Sequence, residues 1–150
     1  RTQIISPMTD ELKTDKEEDA DELFQQHIEA QCRRLRTLGF TGTPIIRGNL
    51  SAMDKSLLPT LQTVCTEILN NIAKHGKPGA FAFVLSIESD EVRIFASNLY
   101  SDAMNNVPEN HYGTTLIQDF AQQHNGTMTI NSENEEWSLS LAIPLTHQTH

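Results

Sequence analysis

Thr66-Glu67-Ile68-Leu69-Asn70-Asn71-Ile72-Ala73-Lys74-His75-Gly76 is the stretch whose reading decides the fold. Within it and upstream, apolar residues fall at 57, 58, 61, 64, 65, 68, 69 and 72. That is the i, i+3, i+4 spacing of a helix with one buried stripe. At 100° per residue, Glu67, Asn71 and Lys74 lie within about 60° of one another. Their arc is rotated roughly 120° from the centre of the apolar stripe. A carboxylate, an amide and an ammonium thus share a face at the edge of the core, and His75 follows at the helix end. Two readings stand open on spacing alone. The face is a solvated helix side, whose charged pair is worth little, or it is a site.

Ser56 reads as the cap of this helix and Pro59 fits its first turn. Gly76, Pro78 and Gly79 end it. Downstream, residues 80–87 are rich in Phe, Val and Ile, and residues 92–98 alternate. Both read as strands, and the parity puts Asn98 on the face of Val92, Ile94 and Ala96. Residues 99–112 form a polar loop, long enough in a small domain to act as a lid. A helix over 113–124 follows and stops at Asn125-Gly126. Residues 127–132 and 137–143 alternate and read as a hairpin joined by Asn134, Glu135 and Glu136, and Pro144 ends the domain.

Upstream, Leu23, Phe24, Ile28, Cys32, Leu35 and Leu38 stand at helical spacing from about Ala20, with Gly39 as C-cap. Arg33, Arg34 and Arg36 sit in its last turns, where cations suit the helix dipole. Residues 40–48 read as a short edge strand interrupted by Gly42 and Pro44, and 49–55 as a loop. Strands cluster instead of alternating with helices. The expected fold is therefore α+β, a two-layer α/β sandwich with a mixed, mostly antiparallel sheet covered on one face by helices.

Composition sets limits. Residues 1–22 carry eight acids and three bases, so most of the net charge of −9 lies there. Residues 1–19 are expected to form a disordered linker, 20–145 the domain and 146–150 a polar tail. The chain opens on Arg1 and reads as a piece of a longer polypeptide. The rest is mildly acidic, with no basic field for nucleic acid. No apolar run is long enough to span a bilayer. Cys32 and Cys65 fall on apolar helix faces and read as buried thiols of a reducing compartment. The six histidines are not spaced as metal ligands.

If the helix face is a site, its chemistry is coherent. An Asn amide oxygen beside a Glu is a hard-oxygen set that suits Mg²⁺ with its waters kept. Lys74 can take a phosphate as a point charge. The helix opening at Gly113, Thr114 and Thr115 can receive a phosphate on free N–H groups. Asn98 can hydrogen-bond the edge of a base.

Glu67-x-x-x-Asn71-x-x-Lys74-His75, late in a long helix that runs into two strands, resembles the N-box of the GHKL ATPase family. More narrowly, it resembles the ATP-binding catalytic domain of sensor histidine kinases, of the branch that works with LuxR-type response regulators. The order of elements over residues 22–145 is similar too. The resemblance implies a Bergerat-type sandwich that binds ATP and Mg²⁺. It implies Asn71 as Mg²⁺ ligand, Glu67 as the catalytic acid that orients or activates the nucleophile, and Lys74 and His75 as phosphate contacts. The γ-phosphoryl group would pass to a histidine of a separate helical dimerisation domain. His27, followed by Ile28, does not fit that acceptor. The implied partners are that domain and a response regulator. The implied location is the cytoplasm, as part of a membrane-bound sensor, with no direct membrane contact by this segment.

Four positions depart from the family pattern. Asn98 stands for the Asp that receives adenine, and Tyr100 for a glycine. Of the second glycine box, aligned with His111-Tyr112-Gly113-Thr114, only Gly113 survives. Glu136-Trp137 replaces a Gly-Thr pair. These losses weaken the expected grip on nucleotide and keep a second reading open, a degenerate domain retained as an interaction module.

Overall fold

A computed structural model describes residues 8–99 and 114–145, with side chains from residue 20 onward except those of Ala52 and Thr114. Helix α1 spans Met8–Thr37 and strand β1 Pro44–Arg47, followed by a 3-10 turn at Leu50–Ala52. Helix α2 spans Leu57–His75, strand β2 Phe81–Ile87 and strand β3 Glu91–Leu99. Helix α3 spans Thr114–Gln123, strand β4 Thr127–Glu133 and strand β5 Glu136–Pro144. The five strands form one sheet in the order β1-β2-β3-β5-β4. Only the β1–β2 pair is parallel. The fold is the expected α+β sandwich.

The alternation in the strands decides which face the helices cover. Phe83, Ala96, Leu139 and Ile130 form one row across four strands, and Leu85, Ile94, Leu141 and Met128 the next. These rows are buried, or half-buried at Met128 and Ile130. Slipping any strand by one residue would turn its apolar set outward. The opposite face is open, with Phe95 and Ile45 exposed. Helix α2 lays Leu61, Val64, Cys65, Ile68, Leu69 and Ile72 into the core. It packs against α1 on one side and α3 on the other.

Helix ends follow local chemistry. Gly39 has φ of 101° and lets Phe40 N–H donate to Leu35 O, closing α1 as a Schellman motif. Asn125, with φ of 59°, does the same for α3, where Gly126 N–H donates to Ala121 O. Ser56 differs from expectation. It stands at the N-cap of α2 in helical φ/ψ, and its side chain makes no cap bond. Asp54 serves there instead, its Oδ1 accepting from Ser56 N–H and its carbonyl from Leu57 N–H.

Other boundaries differ as well. α1 begins at Met8, so residues 8–19, expected in a linker, are helical. Extending a formed helix adds a hydrogen bond per residue without a second nucleus, and Glu, Lys and Leu are good helix formers. β1 is shorter than 40–48, with Thr41 held to Ala80 by a single bridge. The β4–β5 turn is two residues, since Glu133 pairs with Glu136. Its central residues Asn134 and Glu135 have φ of 56° and 63°, the pattern of a type I′ turn. Glu135 gains nothing from that conformation. Glu135→Gly should therefore raise stability by about 1 kcal/mol, read as a higher denaturant midpoint at unchanged slope.

Cys32 and Cys65 are free and buried where α1 meets α2. Burial, then the Glu29 carboxylate, pushes the Cys32 thiol up to about 12, against a small pull from Arg36. Burial pushes Cys65 further up, helped by Cys32. Below the ordinary value of 9.0 both states hold the protons, and pH has no leverage through these groups. Above it the unfolded chain ionises first, so stability should fall from pH 9 toward 12. Thermal melts across that range check this, and Cys65→Ala should flatten the decline.

Candidate functional site

The last turns of α2 carry the candidate face, and its members differ in burial. Asn71 is only 3% exposed. Glu67 and His75 are half-buried, and Lys74 is exposed. The amide is thus sunk at the edge of the stripe, the carboxylate stands above it, and the ammonium reaches solvent. Asn71 Nδ2 is buried and has no hydrogen-bond partner among the described residues. Such an orphan costs about 1–3 kcal/mol. Rotating the amide about χ2 exchanges its donor and acceptor, so the position offers either to a ligand.

Asn98 is buried at 4%, on the covered face as its parity predicts. Its row runs Phe81, Asn98, Trp137 across β2, β3 and β5, and both aromatics are buried. Gly76 explains how this row meets α2. Its φ of −80° and ψ of 168° suit any residue. A Cβ there, however, would fall 2.1 Å from Asn98 Nδ2 and 2.6 Å from Ile72 O. The missing side chain lets the amide of Asn98 press against the end of α2. Leu99 O accepts from both Lys77 N–H and Asn98 Nδ2. With one Nδ2 hydrogen engaged, Asn98 still has its Oδ1 as an acceptor.

A cavity of about 700 Å³ lies between α2 and α3, within the usual size of ligand pockets. Thr60, Thr63, Thr115, Leu116 and Phe120 are among its lining residues. By helical spacing Thr60 and Thr63 fall within about 40° of Glu67, so the cavity continues the candidate face toward the start of α2. Thr63 and Lys74 stand about 16 Å apart along the axis. Thr115 therefore sits on one side of Glu67, and Lys74 and His75 on the other. Thr114 opens α3, and Gly113 and Tyr100 lie outside the described residues.

Among the described residues, no three of His, Cys, Asp or Glu gather as a metal cage. The donors present, one amide and one carboxylate on a shared face, would suit a Mg²⁺ held mainly by a ligand's phosphates and its own waters. No helix among the described residues is long and apolar enough to cross a membrane.

Two cross-helix bonds were not legible in the sequence. His27 on α1 lies 2.7 Å from Thr66 Oγ1, and Arg34 Nη1 donates to Asn70 Oδ1 at 3.0 Å. Thr66 and Asn70 immediately precede Glu67 and Asn71. No periodicity signals such pairs, because each depends on how two helices cross.

No known family's sequence profile matches the chain, and no curated protein matches it by sequence. Solved structures do. The nucleotide-free catalytic domain of histidine kinase ThkA matches with a TM-score of 0.62 at 12% identity, over 85% of this chain and 95% of that one. Histidine kinase AdeS of Acinetobacter baumannii matches at 0.61 and 10%, over 87% and 65%. The blue-light activated histidine kinase EL346 of Erythrobacter litoralis matches at 0.58 and 13%, over 79% and 41%. At these identities the likeness is one of fold.

Proposed function

We propose that this domain binds Mg²⁺–ATP on the Glu67–Asn71–Lys74 face of α2 and serves as the catalytic domain of a sensor histidine kinase. The observation that carries the reading is the orphaned amide of Asn71, buried at 3% on a helix of this fold. A buried polar group without a partner calls for a reason, and a ligand supplies one.

Bound Mg²⁺–ATP would bring the phosphoryl group to be transferred. Asn71 would hold the ion through its amide oxygen. Lys74, exposed at the rim, would place a positive charge beside the phosphates, with His75 next to it. Glu67, half-buried above Asn71, would orient the accepting histidine and hold its proton. Asn98 would accept a hydrogen bond from the base through Oδ1. Thr115, Thr114 and Gly113 would meet the phosphates from the α3 side. Most of what the protein adds is positioning and charge. The accepting histidine belongs to a helical dimerisation domain, the product passes to a LuxR-type response regulator, and the domain works on the cytoplasmic side of a sensor.

One observation favours a second reading, a degenerate domain kept for regulation or protein interaction. Asn98 is hemmed in by Phe81, Trp137 and Gly76 and gives one Nδ2 hydrogen to Leu99 O. Such a tightly filled row leaves little room for a base. Thermal melts with and without Mg²⁺–ATP decide between the two. A ligand selective for the folded state raises the midpoint, by about 2.7 kcal/mol of stability at 100 times its Kd. No shift at millimolar nucleotide would support the degenerate module.

A further inference from the structure

We propose that His27 and Arg34 of α1 are positioning residues that set the roll of α2 and so aim Glu67 and Asn71. The inference rests on the reading that this face binds Mg²⁺–nucleotide. Its observation is a pair of bonds. One joins His27 to Thr66, the other Arg34 to Asn70. Thr66 and Asn70 are four apart and stand one above the other on α2. His27 and Arg34 are seven apart and likewise share a face of α1. Each bond therefore grips α2 one residue before a member of the candidate site.

The donors can be assigned. Thr66 Oγ1 donates its proton to Gln62 O at 2.8 Å. It can only accept from the imidazole, so His27 Nε2 carries a proton and donates. Adding a second proton at Nδ1 leaves this bond in place. Arg34 donates through one Nη1 hydrogen to Asn70 Oδ1, and its charge stays at the surface.

Directional bonds do what the apolar seam between the helices cannot. Cys32, Leu35, Cys65 and Ile68 are fully buried, but apolar contact has no preferred direction. A roll of about 10° around α2 moves an atom 5–6 Å from its axis by about 1 Å. A 1 Å misplacement of a reacting or ligating group can cost about a hundredfold. Two hydrogen bonds on consecutive turns resist that roll.

The test reads nucleotide affinity with Mg²⁺ and with EDTA, in the 150-residue chain. Thr66→Val removes the acceptor at nearly constant shape. Arg34→Met removes the other bond at an exposed position and keeps the stem. His27→Gln keeps a donor. The expected result is that T66V and R34M lower the Mg²⁺-dependent gain in ATP affinity about tenfold at near-native circular dichroism, while H27Q retains it. A purely structural role would lower the midpoint without changing that gain. Unchanged gain in T66V and R34M, with wild type binding Mg²⁺–ATP, would overturn the inference and leave the nucleotide reading standing. Wild type that binds no Mg²⁺–ATP would overturn both.

Discussion

Asn71→Leu is expected to leave the domain at least as stable as the parent and to abolish its response to Mg²⁺–ATP. Asn71 is 3% exposed and its Nδ2 has no partner among the described residues. Replacing an unpaired buried amide with an apolar group of similar shape relieves a cost of about 1–3 kcal/mol. Part of that gain is lost to imperfect packing. A net rise of about 1 kcal/mol is expected, a few degrees in midpoint. In the presence of nucleotide the order reverses. The parent gains about 2.7 kcal/mol at 100 times its Kd and the variant gains nothing. Melts of both proteins with and without Mg²⁺–ATP give the four values needed. An amide kept for structure alone would show the opposite pattern, lower stability and an unchanged response.

Gly76→Ala should destabilise the domain by about 1–2 kcal/mol and weaken nucleotide binding at the base end. The backbone conformation at Gly76 suits alanine, so the expected cost is steric. The new Cβ would lie 2.1 Å from Asn98 Nδ2 and 2.6 Å from Ile72 O. Either the end of α2 or the Asn98 amide must move. Overpacking of this kind costs about 1–3 kcal/mol, offset by about 0.4–1 kcal/mol from stiffening the unfolded chain. Truncating the clashing amide should recover part of the loss, so G76A/N98A should be less destabilised than the sum of its single variants. Additive losses would mean that Gly76 and Asn98 do not press on each other in solution. Denaturant titrations of the four proteins settle the point.

These two residues show how unevenly the chain can be read. The stripe from Leu57 to Ile72 is unbroken at helical spacing, so α2 and the shared face of Glu67 and Asn71 were legible. Strict alternation in β3 placed Asn98 with Val92, Ile94 and Ala96, and all four are buried. What was hidden depends on tertiary contact or on weak local preference. In sequence Gly76 reads only as a helix stop, and its close approach to Asn98 needs the sheet in place. Residues 8–19 show no apolar stripe, so periodicity does not mark the start of α1 at Met8. Ser56 has the right chemistry for a cap, yet Asp54 serves that end of α2. The turn at Asn134 and Glu135 is one residue shorter than the sequence suggests, because Glu135 adopts a positive φ that its side chain disfavours. Thr115 lines the cavity beside Thr60 and Thr63, whereas Lys74 and His75 lie beyond Glu67. That division follows from where α3 crosses α2.

Trp137 is the only tryptophan of the chain, and it pairs with Asn98 across β3 and β5. Its fluorescence reports on the base end of the proposed site without a label. The most direct test is a titration of the domain with ATP, followed at Trp137, once with Mg²⁺ and once with EDTA. The expected result is a saturable change that is tighter with Mg²⁺, with the magnesium advantage lost in Asn71→Leu. A flat trace to millimolar nucleotide, or a magnesium advantage that survives Asn71→Leu, would contradict it.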